Sequence, residues 1–281
     1  MRRDATATGS AHSVVSRDGT AISYFSIGSG PPVLVVPGVL SMASDYAAFA
    51  ASLAERFAVH TIERRGRGRS GPQGDDYGIA KECEDVLALQ QETGASLLVG
   101  HSYGGLVALE VARNNRAFAK IVVYEPGVSI EGSMSADRMP AFEKKLAERR
   151  KLEALAQYAL AVAPRRMRNI PPWLLTLLLR LDLMGHPGHR LMLDLLPQLG
   201  REWREIARLD NSYANYRDVA GEVLFMYGGR SDSPAVDLQL ERLPATIPRC
   251  KTKGFPALDH FGIERTAPRE VARAIGDYFL T

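Results

Sequence analysis

The sequence predicts an α/β fold: a mostly parallel, twisted sheet with helices on both faces and a helical segment inserted into it. Three observations lead there. Short apolar runs alternate with amphipathic stretches from about residue 32 to 124. Those runs are continuous rather than alternating, the pattern of strands covered on both faces. The alternation stops after Pro126 and resumes at Glu222 with another apolar run.

In chain order, residues 1–11 read as a tail of small and polar residues without order. Ser13–Ser16 and Ala21–Phe25 flank Asp18-Gly19, a strong hairpin signal, so the sheet opens antiparallel. Pro32–Val36 is a buried strand, Tyr46–Phe57 an amphipathic helix, and Ala58–Ile62 a strand. Ile79–Thr93 carries the apolar stripe of a helix. Ser96–Val99 is the next strand, a helix runs from the glycines after Ser102 to about Asn114, and Lys120–Tyr124 is a further buried strand. Between about 127 and 216 only helical periodicity and breakers occur: Ala141–Ala163, Trp173–Met184, Leu191–Leu199 and Arg201–Leu209. Glu222–Tyr227 returns to strand, followed by a short strand near Lys251–Gly254 and a helix from Arg269 to Leu280. The expected organisation is a tail at 1–11, a core at 12–126 and 218–281, and a helical insertion at 127–217.

Bulk properties narrow the function classes. The chain has 281 residues, 46% hydrophobic and 24% charged, enough for a sizeable core. A net charge of +3 gives little support to nucleic acid as a partner. Cys83 and Cys250 are far apart and lack metal-ligand spacing, so free buried thiols in a reducing compartment are expected. The start of the chain is basic without an apolar h-region, and the apolar stretch from Ile170 to Leu181 is too short to span a bilayer. A cytoplasmic protein acting on a small molecule is the simplest reading. The oligomeric state is not legible.

Gly100-His101-Ser102-Tyr103-Gly104 lies between a predicted strand and a predicted helix. A G-x-S-x-G segment in that context is the sequence form of a nucleophile elbow. Ser102 then sits at a sharp, strained turn, with glycines two positions either side where a side chain would collide. A serine hydroxyl needs an adjacent base, and a carboxylate must orient that base. His260, after the last strand, is the candidate base. Asp232, in the loop after the strand ending at Tyr227, is the candidate acid. Carboxyl ends of parallel strands gather such groups. Glu125, ending the strand before the insertion, is the rival acid, read more simply as an anchor for nearby loops. Asp259 reads as structural and His60 as a satisfied strand residue, while His101 should point away from substrate. His186 and His189 lack a third ligand for a metal.

With these residues in place, the chain resembles the capped, single-domain branch of the α/β-hydrolase family. The matching motifs are Val36-Pro37-Gly38-Val39-Leu40, Glu63 to Gly71, the elbow, Tyr124-Glu125-Pro126, Gly228 to Asp232 and Asp259-His260-Phe261. The resemblance implies Ser102 as nucleophile, His260 as base, Asp232 as acid, and the Val39 and Tyr103 amides as oxyanion hole. It implies a helical cap and no metal or organic cofactor. Many relatives carry His-Gly where this chain has Pro37-Gly38, so the support of that loop must differ. Dehalogenases and epoxide hydrolases of the family use an Asp nucleophile, and Ser102 argues against both. The apolar Trp173–Leu179 stretch reads either as a helix packed onto the rest of the cap or as part of an apolar pocket in which Trp173 and Leu177 contact substrate, with Met184, Leu191, Met192 and Trp203 as further candidates. The implied substrate is a medium-sized, largely apolar ester, lactone or thioester. Transacylation, cyclisation, C–C cleavage and ligand binding without turnover are the alternatives.

Overall fold

Eight strands form one sheet in a computed structural model that describes residues 9–165, 169–185 and 190–281. The strands are β1 (Ser10–Val15), β2 (Ala21–Ile27), β3 (Pro32–Val36), β4 (Ala58–Ile62), β5 (Leu97–His101), β6 (Lys120–Tyr124), β7 (Glu222–Gly228) and β8 (Cys250–Phe255). Their spatial order is β1-β2-β4-β3-β5-β6-β7-β8. The hairpin at Asp18-Gly19 makes β1 and β2 antiparallel, and β2 runs antiparallel to β4. The remaining pairings are parallel. β1 starts at Ser10, so the stretch expected to be tail already pairs there, with Ser10 opposite Ser26. Residues 1–8 of that expected tail lie outside the described residues.

The helices are α1 (Ala47–Leu53), α2 (Ile79–Thr93), α3 (Tyr103–Asn114), α4 (Pro140–Ala147), α5 (Lys151–Ala161), α6 (Pro172–Gly185), α7 (Arg190–Asp194), α8 (Leu196–Arg208), α9 (Pro234–Thr246) and α10 (Pro268–Leu280). The two-residue period of a strand sends alternate side chains to opposite faces. Leu34, Val36, Ile121 and Val123 join the core beneath α2 and α3. Val33, Val35, Val122 and Tyr124 join the core beneath α1 and α10, with Phe49, Ile275 and Phe279. Both faces are therefore dry, and a continuous apolar run is the only pattern that fits. The helices α4 to α8 lie in sequence between β6 and β7, and Phe142, Leu155, Leu199 and Trp203 extend the first core. Pro197 in the first turn of α8 moves the helix boundary to Leu196, so the two segments expected at 191–199 and 201–209 divide as α7 and α8 instead.

Four non-glycine residues with positive φ sit just beyond strand ends: Leu40 after β3, Ser102 after β5, Glu125 after β6 and Asp232 after β7. All lie at the carboxyl edge of the sheet. Among the described residues no helix is long and apolar enough to cross a membrane. Cys83 and Cys250 are free thiols and half-buried.

Candidate active site

Ser102 occupies the link between β5 and α3 with φ 53° and ψ −122°. L-residues rarely adopt this conformation, and it is retained where the surroundings over-determine it. Gly104 shows the constraint: a Cβ there would lie 2.1 Å from the Val36 carbonyl oxygen. At Gly100 it would lie 2.4 Å from the Gly104 carbonyl oxygen. The Ser102 carbonyl accepts from Gly105, Leu106 and Gly127, and its N–H donates to the Tyr124 carbonyl at 3.0 Å. The turn is thus bonded on both sides. The half-buried Ser102 hydroxyl itself has no hydrogen bond among the described residues.

His260 stands over this elbow, its ring centroid 4.8 Å from that of His101. Its loop is held by the Tyr124 hydroxyl, which donates to the Asp259 carbonyl at 2.7 Å. The Asp259 carboxylate accepts from the Phe261 N–H at 3.0 Å, the structural role expected of it. A π-turn over Gly262–Thr266 follows.

The carboxylate facing His260 belongs to Glu125. His260 Nδ1 lies 2.8 Å from Glu125 Oε2. Oε1 accepts from the Gly228 N–H at 2.8 Å and from the Ser231 hydroxyl at 2.5 Å. Glu125 is 3% exposed, and three donors hold a carboxylate that burial would otherwise penalise. Burial works against a charged His260, but the hydrogen bond and charge of Glu125, followed by the charges of Glu264 and Asp259, outweigh it and raise its pKa above the usual value. With Nδ1 engaged, Nε2 is the nitrogen left for a reacting proton.

The carboxylate hydrogen-bonded to His260 is thus that of Glu125, where Asp232 was expected. In the loop after β7 the inward position beside Glu125 is taken by Ser231. Asp232, at φ 46°, places its carboxylate 3.5 Å from the Arg165 guanidinium.

The predicted oxyanion amides also have definite surroundings. Neither the Val39 N–H nor the Tyr103 N–H donates a hydrogen bond among the described residues. The Gly38 carbonyl accepts from Arg64 Nη1 at 3.0 Å. A trans peptide points its C=O and N–H in opposite directions, so fixing the Gly38 carbonyl fixes the Val39 N–H. The Gly38 N–H donates to the Tyr46 hydroxyl at 3.0 Å. Arg64 and Tyr46 thereby support a loop that has Pro37 in place of the histidine found in many relatives.

Arg64 is fully buried and is paid for by two carboxylates. Its Nη2 lies 2.8 Å from Glu82 and 3.0 Å from Glu202 of α8. Its guanidinium also packs 4.5 Å from the centroid of the Tyr103 ring. The Tyr103 hydroxyl meets that of Tyr77 at 2.9 Å.

Trp173 and Leu177 are not gathered into this site. They are 69% and 45% exposed and line an open groove of about 380 Å³ with Arg150, Lys151, Thr176 and Arg180. Ser102, Glu125 and His260 do not line that groove. Met184 and Leu191 are also exposed, whereas Trp203 is buried in the core beneath α8. His60 is satisfied by the Ser26 hydroxyl at 2.8 Å. His186 and His189 lie outside the described residues, and among those described no group of three His, Cys, Asp or Glu could hold a metal.

Sequence reasoning did not assign functional weight to Arg64, Tyr46, Ser231 or Glu202. Glu125 did carry a signal, as an acidic residue ending a buried strand and followed by proline.

Comparison with known proteins bears on the fold. Residues 33–274 match the alpha/beta hydrolase family. A solved alpha/beta hydrolase from Sphaerobacter thermophilus is 26% identical with TM-score 0.80, covering 95% of this chain and 100% of that one. An esterase from Exiguobacterium antarcticum is 16% identical with TM-score 0.74, covering 96% and 99%. N-formylmaleamate deformylase of Pseudomonas putida is 31% identical over 123 residues, 42% of this chain and 46% of that protein. The curated relatives are matched over 26% to 46% of their own lengths. The sheet order, the strained serine after β5 and a family match across most of the chain have one common explanation: this protein belongs to the α/β-hydrolase family.

Proposed function

We propose that this hydrolase cleaves a carboxylic ester, lactone or thioester of a medium-sized apolar substrate through an acyl-enzyme on Ser102. His260 Nε2 takes the Ser102 proton as the oxygen attacks the carbonyl carbon. Glu125 orients His260 through Nδ1 and stabilises the imidazolium as it forms. The Val39 and Tyr103 amides receive the oxyanion, each donor of this kind contributing about 3 kcal/mol. His260 then protonates the leaving group, and water activated by the same ring releases the acid. No step calls on a metal or organic cofactor. The helices between β6 and β7 act as the cap, and their core-facing surface rather than the exposed face of α6 shapes the substrate site.

The observation that carries this reading is the hydrogen bond from His260 to the buried Glu125, beside a serine in strained turn geometry. The similarity to N-formylmaleamate deformylase favours a second reading, in which the bond cleaved is that of an N-formyl amide. The test is turnover of p-nitrophenyl esters, aryl lactones, thioesters and an N-formyl amide by the native chain and by Ser102→Ala. We expect turnover of at least one class, lost by more than ~10³-fold in Ser102→Ala. Native turnover undiminished in Ser102→Ala overturns the mechanism. Fluorophosphonate should label Ser102 in the native chain.

A further inference from the structure

We propose that Tyr46 and His101 are a positioning pair that couples the oxyanion loop to the loop carrying His260. The proposal rests on the roles given above to Val39, Ser102 and His260.

The pair forms a continuous polar path. The Gly38 N–H donates to the Tyr46 hydroxyl at 3.0 Å. The Tyr46 hydroxyl meets His101 Nδ1 at 2.5 Å. His101 Nε2 meets the His260 carbonyl at 2.9 Å. A carbonyl can only accept, so Nε2 carries the proton. In a neutral ring Nδ1 is then the acceptor, and the Tyr46 O–H donates to it. That leaves the Tyr46 oxygen free to accept from Gly38. One tautomer satisfies every donor and acceptor along the path. A cationic His101 would leave the Tyr46 O–H with no acceptor on this path, at a buried site where that is costly. Burial and the neighbouring His260 also hold the His101 pKa well below the usual value.

Both residues are buried: Tyr46 is 0% and His101 2% exposed. Their action is through others. His101 belongs to β5, paired with Tyr124 of β6, so its backbone is fixed by the sheet. Its ring meets Tyr46 edge-on at 5.9 Å and Tyr124 edge-on at 5.8 Å. From this rigid base one ring end sets the loop after β3 and the other sets the loop after β8. The two groups that must bracket a reacting carbonyl, the Val39 amide and His260, are thus referenced to the residue preceding the nucleophile.

The test compares Tyr46→Phe, His101→Phe and His101→Asn, with native-like folding checked by near-ultraviolet circular dichroism. Tyr46→Phe should lower kcat ~10–100-fold with KM within about threefold, the effect of a displaced catalytic group. It should weaken a trifluoromethyl ketone by the same factor, because that adduct places an alkoxide in the oxyanion hole. His101→Phe should lose as much, the double variant with Tyr46→Phe should lose no more than either alone, and His101→Asn, which retains an acceptor for Tyr46, should recover part of the loss. Native kcat and analogue affinity in Tyr46→Phe, or additive losses, overturn the proposal. Nitrogen-15 spectra of the His101 ring provide a readout that does not depend on turnover or on a variant. They should report one neutral Nε2–H tautomer across about pH 5 to 8. A His101 that titrates in that window overturns the pair. Failure of fluorophosphonate to label native Ser102 removes the functional reading and this proposal with it. A labelled native chain with an unaffected Tyr46→Phe removes the proposal alone.

Discussion

Two acidic residues compete for one histidine, and reach decides between them. Glu125 leaves the end of β6 at φ 41°, and its longer side chain extends to both the Gly228 amide and His260. Asp232 meets Arg165 instead. Glu125→Gln should therefore cut kcat/KM by ~10²–10⁴-fold, since an amide can present its NH₂ to Nδ1 and favour the wrong tautomer. The surviving activity should carry a changed pH profile. Glu125 raises the His260 pKa, and in the proposed mechanism the base works only when neutral, so native activity should fall as pH drops through that raised value. Without the charge the pKa falls, and the acid limb of the kcat/KM profile should move to lower pH. Asp232→Asn should stay within about threefold of native kcat/KM, with the limb unmoved. Steady-state profiles of the two variants decide this, and the reverse pattern would restore Asp232 as the acid.

The elbow is decided by clearance. A methyl on Gly104 would meet the Val36 carbonyl at 2.1 Å, and both are main-chain positions locked into β3 and α3. Neither can yield without disturbing the sheet. Gly104→Ala should cost at least ~2 kcal/mol in urea-induced unfolding. The exposed face of α6 behaves differently. Trp173 is 69% exposed, so Trp173→Ser should change unfolding free energy by no more than ~0.5 kcal/mol and leave KM unchanged. A KM raised tenfold in Trp173→Ser would return α6 to the substrate site. An apolar composition marks a helix that can cover something, and the groove it lines here is open to solvent.

Across the whole molecule, buried charge joins the helices between β6 and β7 to the sheet. Glu202 of α8 is 0% exposed and contacts Arg64 at 3.0 Å and Arg67 at 2.8 Å, both in the loop after β4. Removing one member of such a cluster strands the others without compensation. Glu202→Ala should cost about 3–5 kcal/mol in equilibrium unfolding and speed amide exchange in α8. The same change should lower activity indirectly, because Arg64 also holds the Gly38 carbonyl at 3.0 Å. Unfolding free energy within 1 kcal/mol of native, by the same equilibrium measure, would mean that the cluster is not what secures α8.

The strands and the elbow were legible from the sequence alone because their causes are local. Period and composition mark Pro32–Val36, Ala58–Ile62 and Lys120–Tyr124, and these are the observed bounds of β3, β4 and β6. Ser102 announces itself through glycines whose spacing answers a clash two residues away. The partners of His260 and Gly38 are different. Glu125 and His260 are 135 residues apart, and Gly38 meets Arg64 only where the carboxyl ends of β3 and β4 lie side by side. A sequence states which residues could supply a carboxylate or a donor. Distance and direction across the sheet edge select among them, and these exist only once β6, β7 and β8 lie side by side.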